Sequence, residues 1–299
     1  MGKIRNAKKN SNVFIASLPR SGSTLLGMIL NQHNDCFYMG ESFYWKKLNP
    51  KNEVCTCGVK GCDFLKNIYN KIKLDSNILK ISDVVVRIDA ILQNENEKKI
   101  NKIKNNFLKD IPQCCVGFES LVNIYRQKTQ KRIIIDSSSN IILAKELMAI
   151  NKWKVIILTR DPRGIISSLK EAMRRHQGTI SKKIWCEYLI DFAKRASTLS
   201  CQEGTLTVKY EDLCNNTNST VKNICNFLSI KFDPLMLQYR QNKGHILMAN
   251  RMRFDEGENI KEDVSWRSSL SKNELGVICN NKKLINAYNK FGYNIKTDI

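Results

Sequence analysis

The chain has 299 residues and is 42% hydrophobic, enough to bury the core of one large α/β domain or two small ones. No stretch is long and apolar enough to read as a membrane span, and the basic start MGKIRNAKKNSN has no apolar run behind it, so the expected compartment is the cytoplasm. With 49 Lys and Arg against 28 Asp and Glu the net charge is +21, which points to an anionic partner; the lysines are scattered rather than gathered on one face among aromatics, which disfavours nucleic acid.

The first element is the most informative. Val13, Phe14, Ile15 and Ala16 form an apolar run without helical spacing, as a strand covered on both faces would. Leu18-Pro19 ends the run, Arg20-Ser21-Gly22-Ser23-Thr24 follows, and Leu25, Leu26, Ile29 and Leu30 then recur at helical spacing. A strand, tight loop and helix in that order aim backbone N–H groups and a helix dipole at one point, an arrangement suited to phosphate. The string is not a Walker A loop, because it lacks the Gly-Lys-Ser/Thr ending.

Residues 36–39 read as a second strand with Glu41 just past its end, where open α/β sheets place ligands. Phe43, Tyr44 and Trp45 follow, suited either to stacking on an acceptor or to core packing. Cys55, Cys57 and Cys62 put three of the eleven cysteines within eight residues. They could hold zinc or pair locally, but zinc wants four ligands and no fourth stands nearby in sequence, so no metal is expected. Helices are expected over 64–72, 83–92 and 118–127, with a polar stretch at 95–109. Together they make a mostly helical insertion over about 46–131 that covers the site.

Residues 132–136 are another buried strand, ending in Ser137-Ser138-Ser139, with a helix over 141–150. Residues 154–159 are a strand closed by Arg160-Asp161, and Pro162 starts a helix to 176. An amphipathic helix spans 182–199, an alternating strand 205–213, a helix 219–228 and a short helix from Asp233-Pro234. Residues 250–266 form an ordered loop and 272–291 one closing helix. Strands alternating with helices imply a parallel sheet with right-handed crossovers in a single domain, 1–299.

Pro19-Arg20-Ser21-Gly22-Ser23-Thr24-Leu25, Arg160 with Ser168 eight positions on, and Tyr210-Glu211-Asp212-Leu213, in that order, resemble the sulfotransferases that use 3′-phosphoadenosine 5′-phosphosulfate (PAPS). Arg20 and the 31–38 stretch are similar to the carbohydrate and tyrosylprotein branch. The Cys55–Cys62 stretch and Asn250-Arg251-Met252-Arg253-Phe254 resemble a bacterial group. The resemblance implies an α/β fold of P-loop-like three-layer α/β/α form with a central parallel sheet. It implies that Arg20, Ser21, Gly22, Ser23, Thr24 and Leu25 hold the 5′-phosphosulfate, and that Arg160 and Ser168 hold the 3′-phosphate. By the same resemblance Tyr210 contacts the adenine, Arg251 and Arg253 close over the 3′-phosphate, Arg20 serves the leaving group and Glu41 is the base. The family's lysine near Asp136 is absent; Ser139 stands there.

The activity implied is sulfuryl transfer to a hydroxyl of a carbohydrate or small molecule, with PAP as product and no metal required. His245, and less so His33 or His176, could replace Glu41 as base. Two other readings remain: a P-loop-type kinase using Lys46 and Asp136, whose spacing fits poorly, and a nucleic-acid binder driven by charge.

Overall fold

A computed structural model describes residues 10–42, 52–76, 78, 97–151, 153–175, 182–246, 248–257 and 259–295. Five strands form one parallel sheet: β1 (Ser11–Ser17), β2 (Cys36–Gly40), β3 (Ile133–Asp136), β4 (Lys154–Thr159) and β5 (Thr205–Lys209), in the order β2-β3-β1-β4-β5. Every pairing is parallel, so the crossovers must run through helices on the faces.

Alternation along the strands divides the core in two. Phe14, Ala16, Ile134, Val155 and Ile157 point into one cluster, while Val13, Ile15, Ile133, Ile135, Ile156 and Leu158 point into the other. Helix α1 (Ser23–Leu30) packs in the second cluster. The first is covered by α2 (Asp63–Ile72), the described buried part of α3 (Glu97–Thr129), α4 (Ile141–Asn151), α5 (Pro162–Arg175) and α6 (Lys182–Leu199). Both faces of every central strand are therefore dry, which is why these strands read as unbroken apolar runs.

The topology also locates a ligand crevice. The chain leaves β1 through α1 towards β2 at one edge, and leaves β4 through α5 and α6 towards β5 at the other. β1 and β4 are neighbours with connections running in opposite directions. That is a topological switch point, and the crevice opens at their carboxyl ends.

Three sequence expectations change. Residues 205–213 are not one strand: β5 stops at Lys209 and Tyr210–Asn215 is helix α7, whose first turn carries Glu211 and Asp212 at the positive end of the helix dipole. The polar stretch and the helix at 118–127 are one 33-residue helix, α3, running through Pro112. It is anchored by a buried stripe that starts earlier, with Ile111, Cys114, Cys115, Phe118, Leu121, Val122 and Tyr125. Helix α8 (Thr217–Leu228) and a short turn at Pro234–Leu237 follow as expected, and Arg251–Phe254 is a single 3-10 turn within the loop. After α9 (Trp266–Ser269) the closing helix is split into α10 (Lys272–Cys279) and α11 (Lys282–Asn289). The split occurs because the Asn281 side chain accepts from Leu284 N, starting a new helix. The helix expected at 83–92 lies outside the described residues.

Gly27 shows how tightly α1 sits on β2. A Cβ there would lie 2.4 Å from the Tyr38 ring, and that ring is fixed by a 2.6 Å bond between its hydroxyl and Ser137 Oγ. Gly27→Ala is expected to cost about 1–3 kcal/mol through overpacking. A denaturant melt checks it, and a variant as stable as the wild type would show that the contact relaxes freely.

Candidate active site

The crevice at the switch point is a cavity of about 980 Å³. It is lined by Arg20, Gly22, Ser23, Thr24, Leu25, Glu41, Arg160, Ser168, Tyr210 and Arg251, ten of the twelve residues singled out in the sequence. The two loops meet directly: Arg20 Nε donates to Ser168 Oγ at 2.7 Å, joining the loop after β1 to the second turn of α5.

Arg20 takes the left-handed conformation, φ 71°, and Gly22 does so at φ 91°. For an arginine this costs about 1–2 kcal/mol, so something must hold it. The Arg160 guanidinium does: Nη1 donates to Arg20 O at 2.7 Å, and Nη2 donates to both the carbonyl and Oδ2 of Asp263 at 2.9 Å. The same guanidinium lies 4.4 Å from the centroid of the Tyr210 ring. That ring also packs on Gly22, where a Cβ would come within 2.5 Å of Tyr210 Cδ2. Asp263 N donates to Tyr210 Oη at 3.0 Å, closing the set.

The turn into α5 is built in the same manner. Asp161 caps the helix by accepting from Arg163 N at 2.8 Å, with Pro162 at the first helical position. Glu211 accepts from Asp161 N at 2.9 Å and from the Tyr293 hydroxyl at 2.8 Å, pinning that loop to α7. Ser167 points elsewhere than its neighbour Ser168 and bonds Ser269 Oγ at 2.6 Å.

Glu41 sits across the cavity, half-buried. Burial, and then the charge of Asp136, push its carboxyl up to about 7, against the pull of Arg253 and Arg20. Asp136 is fully buried below it and burial raises it to about 6, although its carboxylate accepts from Ser42 N at 3.1 Å and Ser138 N at 2.7 Å. Asp136 does not line the cavity, so the kinase reading loses its magnesium carboxylate; Lys46, like Phe43, Tyr44 and Trp45, lies outside the described residues.

Two expected residues do not line the cavity. Ser21 is buried beneath the loop, its N donating to Leu18 O at 3.3 Å. The Arg253 guanidinium turns back on its own segment, donating to the carbonyls of Ala249 and Asn250, and its charge acts on Glu41. The histidines resolve as well. His33 lies past α1, whose C-cap is Asn31, and its Nδ1 accepts from Asp35 N at 3.0 Å in the turn towards β2. His245 is not in the cavity; it faces Cys55 and Cys62. His176 lies outside the described residues.

Sequence reasoning missed Asp263, Lys261 and Asn250, all of which line the cavity. Asn250 N donates to Thr24 Oγ1 at 3.0 Å, laying the 248–254 segment across the phosphate loop. Nothing periodic marks these residues; Asp263 gains its role beside Arg160, Asn250 beside Thr24 and Lys261 beside Tyr210, whose hydroxyl donates to its carbonyl.

Residues 10–271 match the sulfotransferase domain family. The chain belongs to the sulfotransferase family. Carbohydrate sulfotransferase 1 of Danio rerio is 23% identical over 89% of this chain and 74% of that protein. Among solved structures, the sulfotransferase domain of the curacin biosynthetic pathway superposes with a TM-score of 0.51 at 16% identity, over 96% of this chain and 99% of that one. The sulfotransferase domain of the Synechococcus PCC 7002 olefin synthase gives 0.50 at 18% identity, over 97% of each. The three-layer fold with its central parallel sheet is thus that of the sulfotransferases. Among the described residues no helix is long and apolar enough to cross a membrane.

The raised carboxyl of Glu41 has a consequence for stability. A carboxyl whose folded value exceeds its ordinary one favours folding when protonated, and that contribution is lost as pH rises from about 4.5 through about 7. Glu41→Gln removes the loss. Relative to wild type its Tm should gain about 5–10 °C between pH 5 and pH 8, the shift that roughly 2.5 kcal/mol produces in a domain of this size. A gap that stays constant with pH would place Glu41 in ordinary solvent.

Proposed function

We propose that the cavity takes PAPS as donor substrate and that this sulfotransferase moves its sulfuryl group to a hydroxyl of a carbohydrate or small-molecule acceptor. The contact between Arg20 and Ser168 carries the reading, because it joins the two anion-binding loops at one cavity large enough for a bisphosphorylated nucleotide. In this reading the backbone of Gly22–Thr24 and the start of α1 hold the 5′-phosphosulfate. Arg160 and Ser168 face the 3′-phosphate, Tyr210 stacks on the adenine, and Arg251 closes the outer side.

The reaction is an in-line displacement. The acceptor O–H bond breaks and its proton passes to the Glu41 carboxylate. The acceptor oxygen bonds to sulfur, and the bond from sulfur to the 5′-phosphate oxygen breaks with its electron pair, leaving PAP. Arg20 lies where that charge develops, and fixed donors aimed at developing charge give the largest electrostatic contribution. A base held near 7 suits the operating pH. Eleven free thiols fit a reducing compartment such as the cytoplasm.

Calorimetric titration with PAP in the absence of magnesium tests the donor site. Arg160→Ala should weaken binding by about 1.5–3 kcal/mol, the worth of a hydrogen bond to a charged group, or at least tenfold. An unchanged affinity would remove Arg160 from the site, and ATP binding tightly only with magnesium would favour a kinase.

Turnover tests the base. Glu41→Gln should lower kcat by about 10²–10⁴-fold with PAP affinity retained, and wild-type kcat/KM should rise with pH towards a plateau above about 7, as the carboxyl loses its proton. Wild-type turnover in the variant would end the assignment.

A further inference from the structure

Away from the cavity the fold assembles a second group of chemistry-bearing side chains. Cys55, Cys57, Cys62 and His245 present four ligand atoms that all lie within 4.8 Å of one another. His245 Nδ1 is 3.3 Å from Cys62 Sγ and 3.6 Å from Cys55 Sγ. A tetrahedral zinc ion, with Zn–S about 2.3 Å and Zn–N about 2.0 Å, sets its ligand atoms roughly 3.5–3.8 Å apart. The fourth ligand that the local sequence lacked therefore arrives from 183 positions beyond Cys62.

We propose that these four residues hold one structural zinc ion. The three thiols each release a proton to solvent as they bind, the neutral imidazole gives its Nδ1 lone pair, and no electron is transferred. The four positions are filled by protein, so the site is closed and does no catalysis.

The backbone around the cluster is already arranged for it. Gly58 N donates to Cys55 O at 2.8 Å and Cys55 N to Val59 O at 3.2 Å, with an antiparallel bridge between Val54 and Lys60. This tight knuckle presents Cys55 and Cys57 together. Cys62 is the N-cap of α2, so the start of that helix fixes where its side chain leaves the backbone. The imidazole of His245 stacks on the Phe64 ring with centroids 4.4 Å apart and planes 14° from parallel, which fixes its orientation. Thr56, between two of the ligands, ties the knuckle to the histidine segment: its Oγ1 donates to Gly244 O at 3.1 Å and accepts from Ile246 N at 2.9 Å.

The site lies at one end of the strap that closes the cavity. Three residues past His245, Met248 O accepts from Glu41 N at 2.7 Å, and two further on Asn250 N reaches Thr24. Zinc would hold the strap against Glu41 and the phosphate loop. A disulfide is the competing use of the cysteines, but it would join only two of them and leave the third thiol and the histidine unused.

Elemental analysis of the full chain purified from zinc-supplied cells should give about one zinc per chain. Cys57→Ser and His245→Ala should lose most of it, and Cys201→Ser, an exposed thiol outside the cluster, should keep it. Because a ligand variant could fail to fold, the wild-type chain stripped by chelator and titrated with cobalt gives an independent reading. One equivalent should produce the thiolate-to-cobalt charge-transfer band and strong visible absorption of a tetrahedral sulfur-rich site, and chelation should lower Tm whether or not PAP is present. A chain that purifies without zinc and takes up cobalt without these bands overturns the proposal, as does a count of nine free thiols rather than eleven after denaturation without reductant.

Discussion

The Arg160 guanidinium is the constraint on which the site depends. It is buried, and it donates to the Arg20 carbonyl and to Asp263 while its face covers Tyr210. Each partner belongs to a different part of the chain: the loop after β1, the long loop before α9, and the start of α7. A left-handed arginine costs about 1–2 kcal/mol, and one charge-assisted hydrogen bond returns about 1.5–3. The clamp can therefore hold Arg20 in a conformation its own backbone disfavours, and that conformation aims Arg20 Nε at Ser168. Burial opposes ionisation of Asp263, yet its bonds from Ser265 and Arg160 keep its carboxyl below the usual value, so it stays a firm partner at neutral pH. The geometry around Arg20 and Arg160 is set by the protein's own contacts, which is what electrostatic preorganisation requires.

The sheet order explains why these parts meet at all. With β1 and β4 side by side and their helices leaving towards opposite edges, two helix-starting loops open onto one crevice. Both strands are dry on both faces, so neither can slip without driving an apolar side chain into the other cluster or out of the core. The register of Ser17 against Leu158 is thereby fixed, and with it the spacing between Arg20 and Ser168.

What was legible in the sequence was local. Apolar runs, Pro162 after Asp161, and the loop from Arg20 to Thr24 carry their structure in adjacent residues, and all of these elements stand where expected. The hidden features depend on partners far along the chain. Asp263 has meaning only beside Arg160, 103 residues away, and His245 only beside Cys62. β5 ends at Lys209 because the alternation that runs from Thr205 breaks at Glu211-Asp212, where Tyr210, Leu213 and Cys214 take the spacing of one buried helix face in α7. The closing helix breaks at Asn281 because Asn is neutral to unfavourable in a helix interior and strong as a cap, and tertiary packing decides between the two.

The charge of +21 is a poor guide to where an anion binds. Around the cavity Arg20, Arg160, Arg251 and Lys261 face Glu41, Asp255 and Asp263, four cations against three carboxylates. Excess charge spread over the surface is screened within about 8–10 Å at physiological salt and steers an anion rather than holding it. Holding it falls to oriented donors in a partly dry crevice, and the same dryness lifts Glu41 to about 7. Acid and cation are thus tuned by one cause. Removing water strengthens the field of Arg20 and Arg160 within the crevice and raises the affinity of the neighbouring carboxyl for its proton, so both effects share a single physical origin in the covering of this crevice by the 248–254 segment.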